Sequence, residues 1–376
     1  GTEIVLLEGT YPSLPTIRFQ GQEQAPIKVR GEGNVIIDAD SIPGNRNGLT
    51  ISQARYLVLE NITIQDTPFH GINMDDGGSF DTPTEYILFR NLRIVNTGLL
   101  GGNLDCLKVS GVDHFYFLNN DFTQCQQNPD ARGECIDMVG AHDGIISGNQ
   151  FGNNNQHCVQ TKGGSSDVIV HGNVFSNVGG HAVNIGGSTD PNLIRPQSSP
   201  TEAQRILVMG NIIENSSAAA AAFIACWDCA FIQNTVVNPG RWAVRILEGG
   251  SDGNVFPTLR ATVANNIFQF RSSETGTHLN VGQGMSNADL ATSQFTNNLW
   301  YSTDNAGFSS PNLGSLSPGT NAIIQQDPRF VNASSGDYNL DAASPALNRG
   351  FDFSNIYSPV NFLGEVFSTT PNIGAF

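Results

Sequence analysis

The sequence predicts an all-β protein that folds as a single-stranded parallel β-helix, a solenoid in which each coil of strands stacks on the previous one. Two observations lead to this fold class. A short strand-like phrase recurs at intervals of 23 to 38 residues, which is the spacing of solenoid repeats. Charged residues make up only 14% of the chain while 41 residues are Gly, a composition that favours strands and turns. Only the Ala run at 218–222 looks helical.

The first phrase of each repeat is an apolar strand that ends near an Asn. It reads YLVLENITI from residue 56, YILFRNLRI from 86, GIISGNQF from 144 and VIVHGNVF from 168. Stacked Asn side chains hydrogen bond up and down a ladder, and Asn tolerates a left-handed bend between strands. Alignment of the phrases therefore predicts one column at the same corner of successive coils: Asn61, Asn91, Asn120, Asn149, Asn173, Asn211, Asn234, Asn266 and Asn297.

The second phrase predicts a strand whose alternate residues face the core. It reads HGINMD from residue 70, DCLKVS from 105, ECIDMV from 134, HCVQTK from 157 and HAVNIG from 181, with a weaker copy WAVRIL from 242. Positions three and five are almost always apolar and are predicted to point inward. Position two is small, and Cys106, Cys135 and Cys158 are expected to fill a tight corner there. Cys226 and Cys229 predict a local disulfide or two buried thiols rather than a metal site.

Positions one and four of the second phrase are polar and are predicted to share one outer face. Because neighbouring coils lie about 5 Å apart, carboxylates, imidazoles and amines converge there on one patch. The patch contains Asp105, Lys108, Glu134, Asp137, His157, Gln160, His181 and Asn184, and position six adds Lys162. The 38-residue interval between Asn173 and Asn211 predicts a loop over 188–196 beside the patch, which brings Arg195.

This patch suits chemistry on an acidic saccharide chain that lies along the solenoid. β-Elimination on a uronic acid polymer must neutralise a substrate carboxylate and remove the proton at C5. A Ca²⁺ ion or an Arg performs the first task, and a Lys or a His performs the second. We therefore predict Lys162 as the base, Arg195 and His181 as the residues that neutralise or protonate, and Ca²⁺ as the cofactor. The predicted catalytic residues are Lys162, His181, Arg195 and Asp137, and the predicted metal ligands are Asp105, Glu134 and Asp137.

Further side chains near the patch are predicted to bind the substrate: Lys108, His157, Gln160, Asn184, Trp242 and Arg245. Two other functions remain open on the sequence alone. Glycoside hydrolysis would use two carboxylates at a defined separation, such as Glu134 and Asp137 or Asp105 and Asp137. A non-catalytic carbohydrate-binding or adhesive β-helix would bind a glycan without turnover.

The coil pattern resembles the right-handed parallel β-helix proteins of the pectin-lyase-like superfamily. TEIVLLEGTY from residue 2, followed by APIKVRGEG from residue 25, resembles the first coil of alginate lyases and chondroitinase B. The block over about 100–330 resembles bacterial right-handed β-helix repeat proteins through DCLKVSGV, QTKGGS and AVNIGGS. The resemblance implies a right-handed coil, in a fold that hosts lyases, hydrolases, epimerases and adhesins.

The whole chain, 1–376, is predicted to be one β-helix domain. Regular coils are expected in residues 1–302. Residues 303–376 are expected to form the last coils and an irregular tail that packs back and covers the open end. The net charge of −16 excludes nucleic acid as a partner, because phosphate binding needs basic surface. No apolar run reaches 18 residues, so no membrane span is predicted. We expect a secreted or periplasmic monomer that acts on a polysaccharide.

Overall fold

The computed structural model describes residues 1–40, 46–354, 361–366 and 370–376. Strands supply almost all of the regular structure. In chain order they are β1 (Glu3–Tyr11), β2 (Ile27–Asp38), β3 (Leu49–Ser52), β4 (Arg55–Glu60), β5 (Thr63–Thr67), β6 (Ile72–Asp75), β7 (Thr84–Arg90), β8 (Arg93–Thr97), β9 (Leu107–Ser110), β10 (Val112–Leu118), β11 (Asp121–Thr123) and β12 (Ile136–Val139). Next come β13 (His142–Ser147), β14 (Gln150–Asn154), β15 (Val159–Lys162), β16 (Ser165–His171), β17 (Val174–Val178), β18 (Val183–Gly186), β19 (Ala203–Gln204), β20 (Leu207–Met209), β21 (Ile212–Ser216), β22 (Ala219–Ile224), β23 (Cys226–Trp227) and β24 (Ala230–Ile232). The last are β25 (Thr235–Val237), β26 (Trp242–Leu247), β27 (Gly249–Ser251), β28 (Asn254–Phe256), β29 (Thr262–Ala264), β30 (Ile267–Phe270), β31 (Leu279–Val281), β32 (Gln294–Thr296), β33 (Leu299–Ser302), β34 (Ile323–Ile324), β35 (Phe330–Asn332) and β36 (Asp337–Leu340).

Each coil contributes two strands to a large parallel sheet and one strand to a second parallel sheet of nine strands. The coil β10–β11–β12 pairs in register with β7–β8–β9 before it and with β13–β14–β15 after it. The order of the nine-stranded sheet is β3-β6-β9-β12-β15-β18-β22-β26-β31. The chain is therefore a right-handed parallel β-helix, as the sequence predicts.

The Asn column runs along the bend between the two strands of the large sheet, but it is two columns rather than one. Seven buried residues form a ladder: Asn120, Asn149, Asn173, Asn211, Asn234, Asn266 and Asn298. One residue earlier lies a row with positive φ that includes Asn61, Asn91 and Asn297. The prediction was wrong for these three residues. In the first two of these coils the buried position holds the apolar Ile62 and Leu92 instead.

The core is filled by stacked columns from every coil. The predicted inward positions of the second phrase are confirmed, because Ile72, Leu107, Ile136, Val159 and Val183 are all fully buried. Aromatic rings also stack between coils, with the ring centroids of Phe122, Phe151 and Phe175 at 5.1 and 4.7 Å. The cysteine corner is buried as predicted; within it Cys106 forms a disulfide with Cys125, whereas Cys135 and Cys158 are free thiols. Cys226 and Cys229 form a local disulfide, which is one of the two alternatives that the sequence left open.

The Ala run that looks helical is strand β22 of the nine-stranded sheet. It pairs in parallel with β18 on one side and with β26 on the other. Alanine has the highest helix propensity, but cross-strand pairing and burial on two sides outweigh that local preference. The strand places two short side chains, Ala219 and Ala222, on the outer face of the sheet.

The tail does not simply cover the open end. Phe308 and Leu313 pack against the main core near the end of the nine-stranded sheet. The rest of the described tail lies along the outer face of the large sheet, where Phe353 packs on Leu207, Ala230 and their neighbours. The outer face is apolar there, so it needs a cover. The longest helix of the described residues, Asn287–Leu290, has four residues, and no helix in these ranges has the length and apolarity to cross a bilayer.

Candidate functional site

The outer face of the nine-stranded sheet, which we call the groove, carries one column of aligned residues along its length. Because the strands pair in parallel register, position four of each coil lies beside position four of the next. From β6 to β31 the column is Asn73, Lys108, Asp137, Gln160, Asn184, Ala222, Arg245 and Asn280. The register that the sequence predicted for this patch is therefore present.

Two lysines share one buried carboxylate at the centre of this groove. Lys108 Nζ donates a hydrogen bond to Asp137 Oδ2, and Lys162 Nζ lies 3.2 Å from Asp137 Oδ1. Asp137 is completely buried, whereas the lysine side chains are 20% and 14% exposed. Burial disfavours the charged form of Lys108, but the attraction of the Asp137 and Asp105 carboxylates exceeds this effect and raises the pKa of Lys108. Asp137, a predicted catalytic residue, therefore contacts the lysines and cannot itself touch a substrate.

Asp105 and Glu134 lie directly beside this pair at position one of their coils. One oxygen from each of Asp105, Glu134 and Asp137 lies within 4.8 Å of the others. Asp105 Oδ1 accepts a hydrogen bond from the Glu134 amide at 2.7 Å, and His70 Nδ1 lies 3.3 Å from Asp105 Oδ2. Burial opposes ionisation of Asp105, but His70 and Lys108 lower its pKa overall. Burial, together with Asp137 and Asp105, raises the pKa of Glu134 well above its ordinary value.

Two stacked imidazoles continue position one along the groove. The rings of His157 and His181 are 4.6 Å apart and nearly parallel, and the His181 amide donates to His157 Nδ1 at 2.7 Å. Burial lowers the pKa of His157 to about 4 and that of His181 to about 3, and Arg245 contributes to both. Both rings are therefore neutral near pH 7. His181 cannot supply the positive charge or the proton that the sequence assigned to it.

The far end of the groove is made by strand β26. Arg245 Nε donates to Asn280 Oδ1 at 2.9 Å, and its NH1 group lies 3.4 Å from His181 Nε2. The guanidinium carbon of Arg245 lies 4.4 Å from the centre of the Trp242 ring. Gln160 and Asn184 join the two ends, with Asn184 Nδ2 3.4 Å from Gln160 Oε1. Both amides are almost sealed, at 7% and 4% exposure.

The long loop, predicted over 188–196, spans 187–202 and packs on Lys162 at its base, but Arg195 does not join the lysines. Its guanidinium forms a bidentate pair with Asp113 at 2.7 Å and donates to the Gly140 carbonyl. Asp113 belongs to β10 of the large sheet, so Arg195 serves the corner between the sheets. The prediction of Arg195 as a catalytic residue is therefore corrected.

The loop is held at its base by Glu202, a fully buried carboxylate that the sequence analysis did not single out. It accepts hydrogen bonds from the Gly163 amide at 2.9 Å and from the Thr189 amide and hydroxyl at 2.8 and 2.7 Å. Gly187 starts the loop against Lys162, and a Cβ there would lie 2.9 Å from the Lys162 Cβ. The loop base therefore packs directly on the lysine.

Sequence reasoning missed two residues that line the groove. Arg241 precedes Trp242, and its guanidinium carbon lies 4.3 Å from the centre of the indole ring. Asn280 belongs to HLNV at 278–281. This segment is a last copy of the second phrase, which the alignment did not include. The alternation of Leu279 and Val281 about a polar residue was the available signal.

No family model matches this chain, and no curated protein matches it either. Solved structures do match. Pectate lyase Pel9A is 14% identical, with a TM-score of 0.51, over 100% of this chain and 87% of that chain. An alginate lyase from Paenibacillus sp. str. FPU-7 is 16% identical, with a TM-score of 0.50, over 75% and 91% of the two chains. The A-module of mannuronan C-5 epimerase AlgE6 from Azotobacter vinelandii is 12% identical, with a TM-score of 0.54, over 86% and 89%. These likenesses confirm the parallel β-helix fold that the protein shares with polysaccharide lyases.

Proposed function

We propose that this protein is a polysaccharide lyase that cleaves an acidic, uronic-acid-containing glycan by β-elimination in the groove along the nine-stranded sheet. The observation that carries the proposal is the lysine pair, Lys108 and Lys162, which shares the buried carboxylate of Asp137. β-Elimination needs a fixed positive charge for the substrate carboxylate and a base for the C5 proton. The two lysines offer both functions from the coils on either side of Asp137.

The two lysines differ in how Asp137 holds them, and this difference assigns their roles. Lys108 is hydrogen bonded to the carboxylate, and its raised pKa keeps it an ammonium that pairs with the substrate carboxylate. Lys162 makes only an ion-pair contact, at 3.2 Å, so it is the residue that exchanges a proton. Asp137 is a positioning residue that fixes both amines.

The reaction is then a proton abstraction followed by loss of the leaving group. In its neutral form Lys162 Nζ takes the C5 proton and becomes an ammonium, and the electrons of that C–H bond form the double bond between C4 and C5. The bond between C4 and the glycosidic oxygen breaks, and this oxygen leaves with a proton from solvent. The products are a shortened chain and a fragment with an unsaturated uronate at its end.

Calcium, the expected cofactor, does not fit this cluster. Asp105, Glu134 and Asp137 have the oxygen donors that a hard cation prefers. Both oxygens of Asp137, however, already meet lysine amines, and burial raises the pKa of Glu134, which disfavours the charged form that a cation needs. The three carboxyl groups are at most 6% exposed, so an ion between them would not reach a substrate. We therefore derive no step through Ca²⁺.

Glycoside hydrolysis is disfavoured by the same geometry. An inverting hydrolase separates its two carboxyl groups by about 6.5–9.5 Å to admit a water molecule. Here one oxygen of each of the three acids lies within 4.8 Å of the others. A retaining hydrolase needs a carboxylate that reaches the anomeric carbon, and Asp105 and Asp137 are fully buried.

We also propose that the protein is secreted or periplasmic. Two disulfides support this compartment, Cys106–Cys125 and Cys226–Cys229, because disulfides persist in oxidising surroundings. An extracellular location agrees with a polymeric substrate.

The test is the ultraviolet absorbance of unsaturated uronate, followed with pectate, alginate and glycosaminoglycans as substrates. We expect absorbance to rise with at least one of them for the wild-type protein. Lys162→Met should lower the rate by about 10²–10⁴-fold, the usual contribution of a general base. Lys162→Arg should do the same while it keeps a cation beside Asp137, so that loss of folding is not the cause.

Lys28→Met is the matched control, because Lys28 pairs with Glu3 and Glu60 on the large sheet, away from the groove. It should leave the rate unchanged. Release of reducing ends without an absorbance change would identify a hydrolase and overturn the proposal. Binding to a glycan without any product would identify a non-catalytic β-helix.

A further inference from the structure

Three neighbouring residues on strand β26 and just before it form an arginine–tryptophan unit: Arg241, Trp242 and Arg245. The two guanidinium carbons lie 4.3 and 4.4 Å from the centre of the indole ring. These distances are those of cation–π contacts, which hold the planar guanidinium groups in place. The unit lies in the same groove as the lysine pair, because β26 belongs to the nine-stranded sheet.

The arginines of this unit are not neutralised by the protein. Most cations of the chain, such as Arg195, Arg205 and Arg260, pair with a carboxylate. Among the ion pairs of the described residues there is none for Arg241 or Arg245, in a chain of net charge −16. The unit therefore carries positive charge that no carboxylate of the described residues balances, and burial and the neighbouring Arg241 lower the pKa of Arg245. Such a site attracts an anion.

Strand β22 gives Arg245 the space to lie along the groove. Ala222 pairs directly with Arg245, and Ala219 pairs with Trp242, so only methyl groups stand between β26 and β18. Arg245 reaches across them to His181, while Asn280 holds its Nε from the other side. A longer side chain at Ala222 would fill this path. The unexpected Ala-rich strand therefore has a direct consequence for the groove.

We propose that the arginine–tryptophan unit binds the carboxylate of a second uronic acid residue of the glycan, remote from the reacting sugar. The inference rests on the proposed function for the position of the reacting sugar at the lysine pair. Arg245 stands on the fourth coil after that of Asp137, roughly 19 Å along the axis at about 4.8 Å per coil, and its guanidinium reaches back toward His181. A planar guanidinium matches a planar carboxylate in a bidentate contact, and this favours a uronate over a sulfate ester.

Two properties of the substrate follow. The glycan must carry carboxylates on residues several sugars apart, so the protein prefers a polyuronate block to a chain with isolated uronic acids. It must also be long enough to reach from the lysine pair to Arg245. A disaccharide is too short for this span, whereas a tetrasaccharide covers it.

The experiment measures binding rather than turnover, so that it is independent of the elimination reaction. Oligogalacturonate and oligomannuronate tetramers are titrated calorimetrically into the Lys162→Arg protein and into the same protein with Arg245→Gln. Affinity for the tetramer that binds should fall by about tenfold to a hundredfold, the loss of a charge-assisted contact. The disaccharide and the methyl-esterified tetramer should bind equally to both proteins. Arg349→Gln, on the exposed tail, is the control and should leave the affinity unchanged.

Three results would overturn the inference: unchanged tetramer affinity in Arg245→Gln, an equal loss for the methyl-esterified tetramer, or stronger Arg245-dependent binding of a sulfated neutral tetramer. A failure of the proposed function looks different. In that case no unsaturated product forms from any polymer, while the carboxylate-dependent contribution of Arg245 to binding persists.

Discussion

Acid is expected to destabilise this protein through the stacked imidazoles of His157 and His181. In the unfolded chain each ring titrates near pH 6.5. In the folded protein burial lowers the pKa values to about 4 and about 3. Between the folded and unfolded pKa values the unfolded state binds more protons, so the free energy of unfolding falls as the pH drops below about 6.5.

The size of the effect follows from these pKa values. At pH 8 both states are neutral and neither histidine contributes. At pH 5 the unfolded rings are almost fully protonated and the folded rings are not, which costs about 2 kcal/mol for each histidine. Together they remove about 4 kcal/mol, a large fraction of the 5–15 kcal/mol by which proteins are usually stable.

The assay is urea unfolding at 25 °C, followed by far-ultraviolet circular dichroism at pH 8 and at pH 5. His157→Asn keeps an oxygen acceptor for the His181 amide but does not titrate. Between pH 8 and pH 5 the free energy of unfolding of this variant should therefore fall by about 2 kcal/mol less than that of the wild type. His114→Asn is the control, because His114 is 38% exposed on the large sheet, and it should lose as much stability as the wild type. The reasoning is refuted if wild type and His157→Asn lose the same free energy between pH 8 and pH 5.

Three further predictions concern the ladder, the thiols and the metal. Asn173→Ala should lower the free energy of unfolding by about 3–6 kcal/mol, because the substitution removes hydrogen bonds with Asn149, Ile146 and Asn211. Asn91→Gly, in the exposed row, should change the free energy of unfolding by less than about 1 kcal/mol. Similar losses for the two variants would contradict this account. The sulfurs of Cys135 and Cys158 lie 3.2 Å apart, and burial raises the pKa of Cys135. A thiol reagent should therefore react with these cysteines only in denaturant, where it should detect two thiols per chain. Reaction in the native state would contradict the prediction. EDTA should leave the elimination rate unchanged, and a loss restored by Ca²⁺ would show that the lysine pair does not replace the ion.

The fold could be predicted from the sequence because the solenoid repeats one simple pattern. Alternation with a period of two sets which residues face inward, and recurrence sets which residues stack. The Asn column shows the limit of this reasoning. Two adjacent positions both accept Asn, one for its hydrogen bonds and one for its tolerance of positive φ, and sequence spacing does not distinguish them. Asn61 and Asn91 were misplaced by one residue for that reason.

The candidate site was predictable in its register but not in its depth. Neighbouring phrases correctly aligned Lys108, Asp137 and Gln160, since parallel pairing leaves no freedom along the strand. Alternation says that Asp137 faces outward, but it does not say that two long side chains close over it. The position of Arg195 could not be predicted, because its partner Asp113 is 82 residues away in the sequence. The base of the loop that carries Arg195 is also held by a distant contact, between Glu202 and the Gly163 amide.

The carboxylate of Glu202 divides the long loop into a fixed root and a free tip. The root, at Thr189 and Gly163, packs near Lys162, whereas Asn192 and Leu193 at the tip are exposed. Residues 190–193 can therefore change in length or composition while the amines keep their positions, because Arg195 beyond them stays paired with Asp113. This arrangement gives the protein an exchangeable wall beside a constant reaction centre, a part that selection or an engineer can replace to admit differently branched glycans.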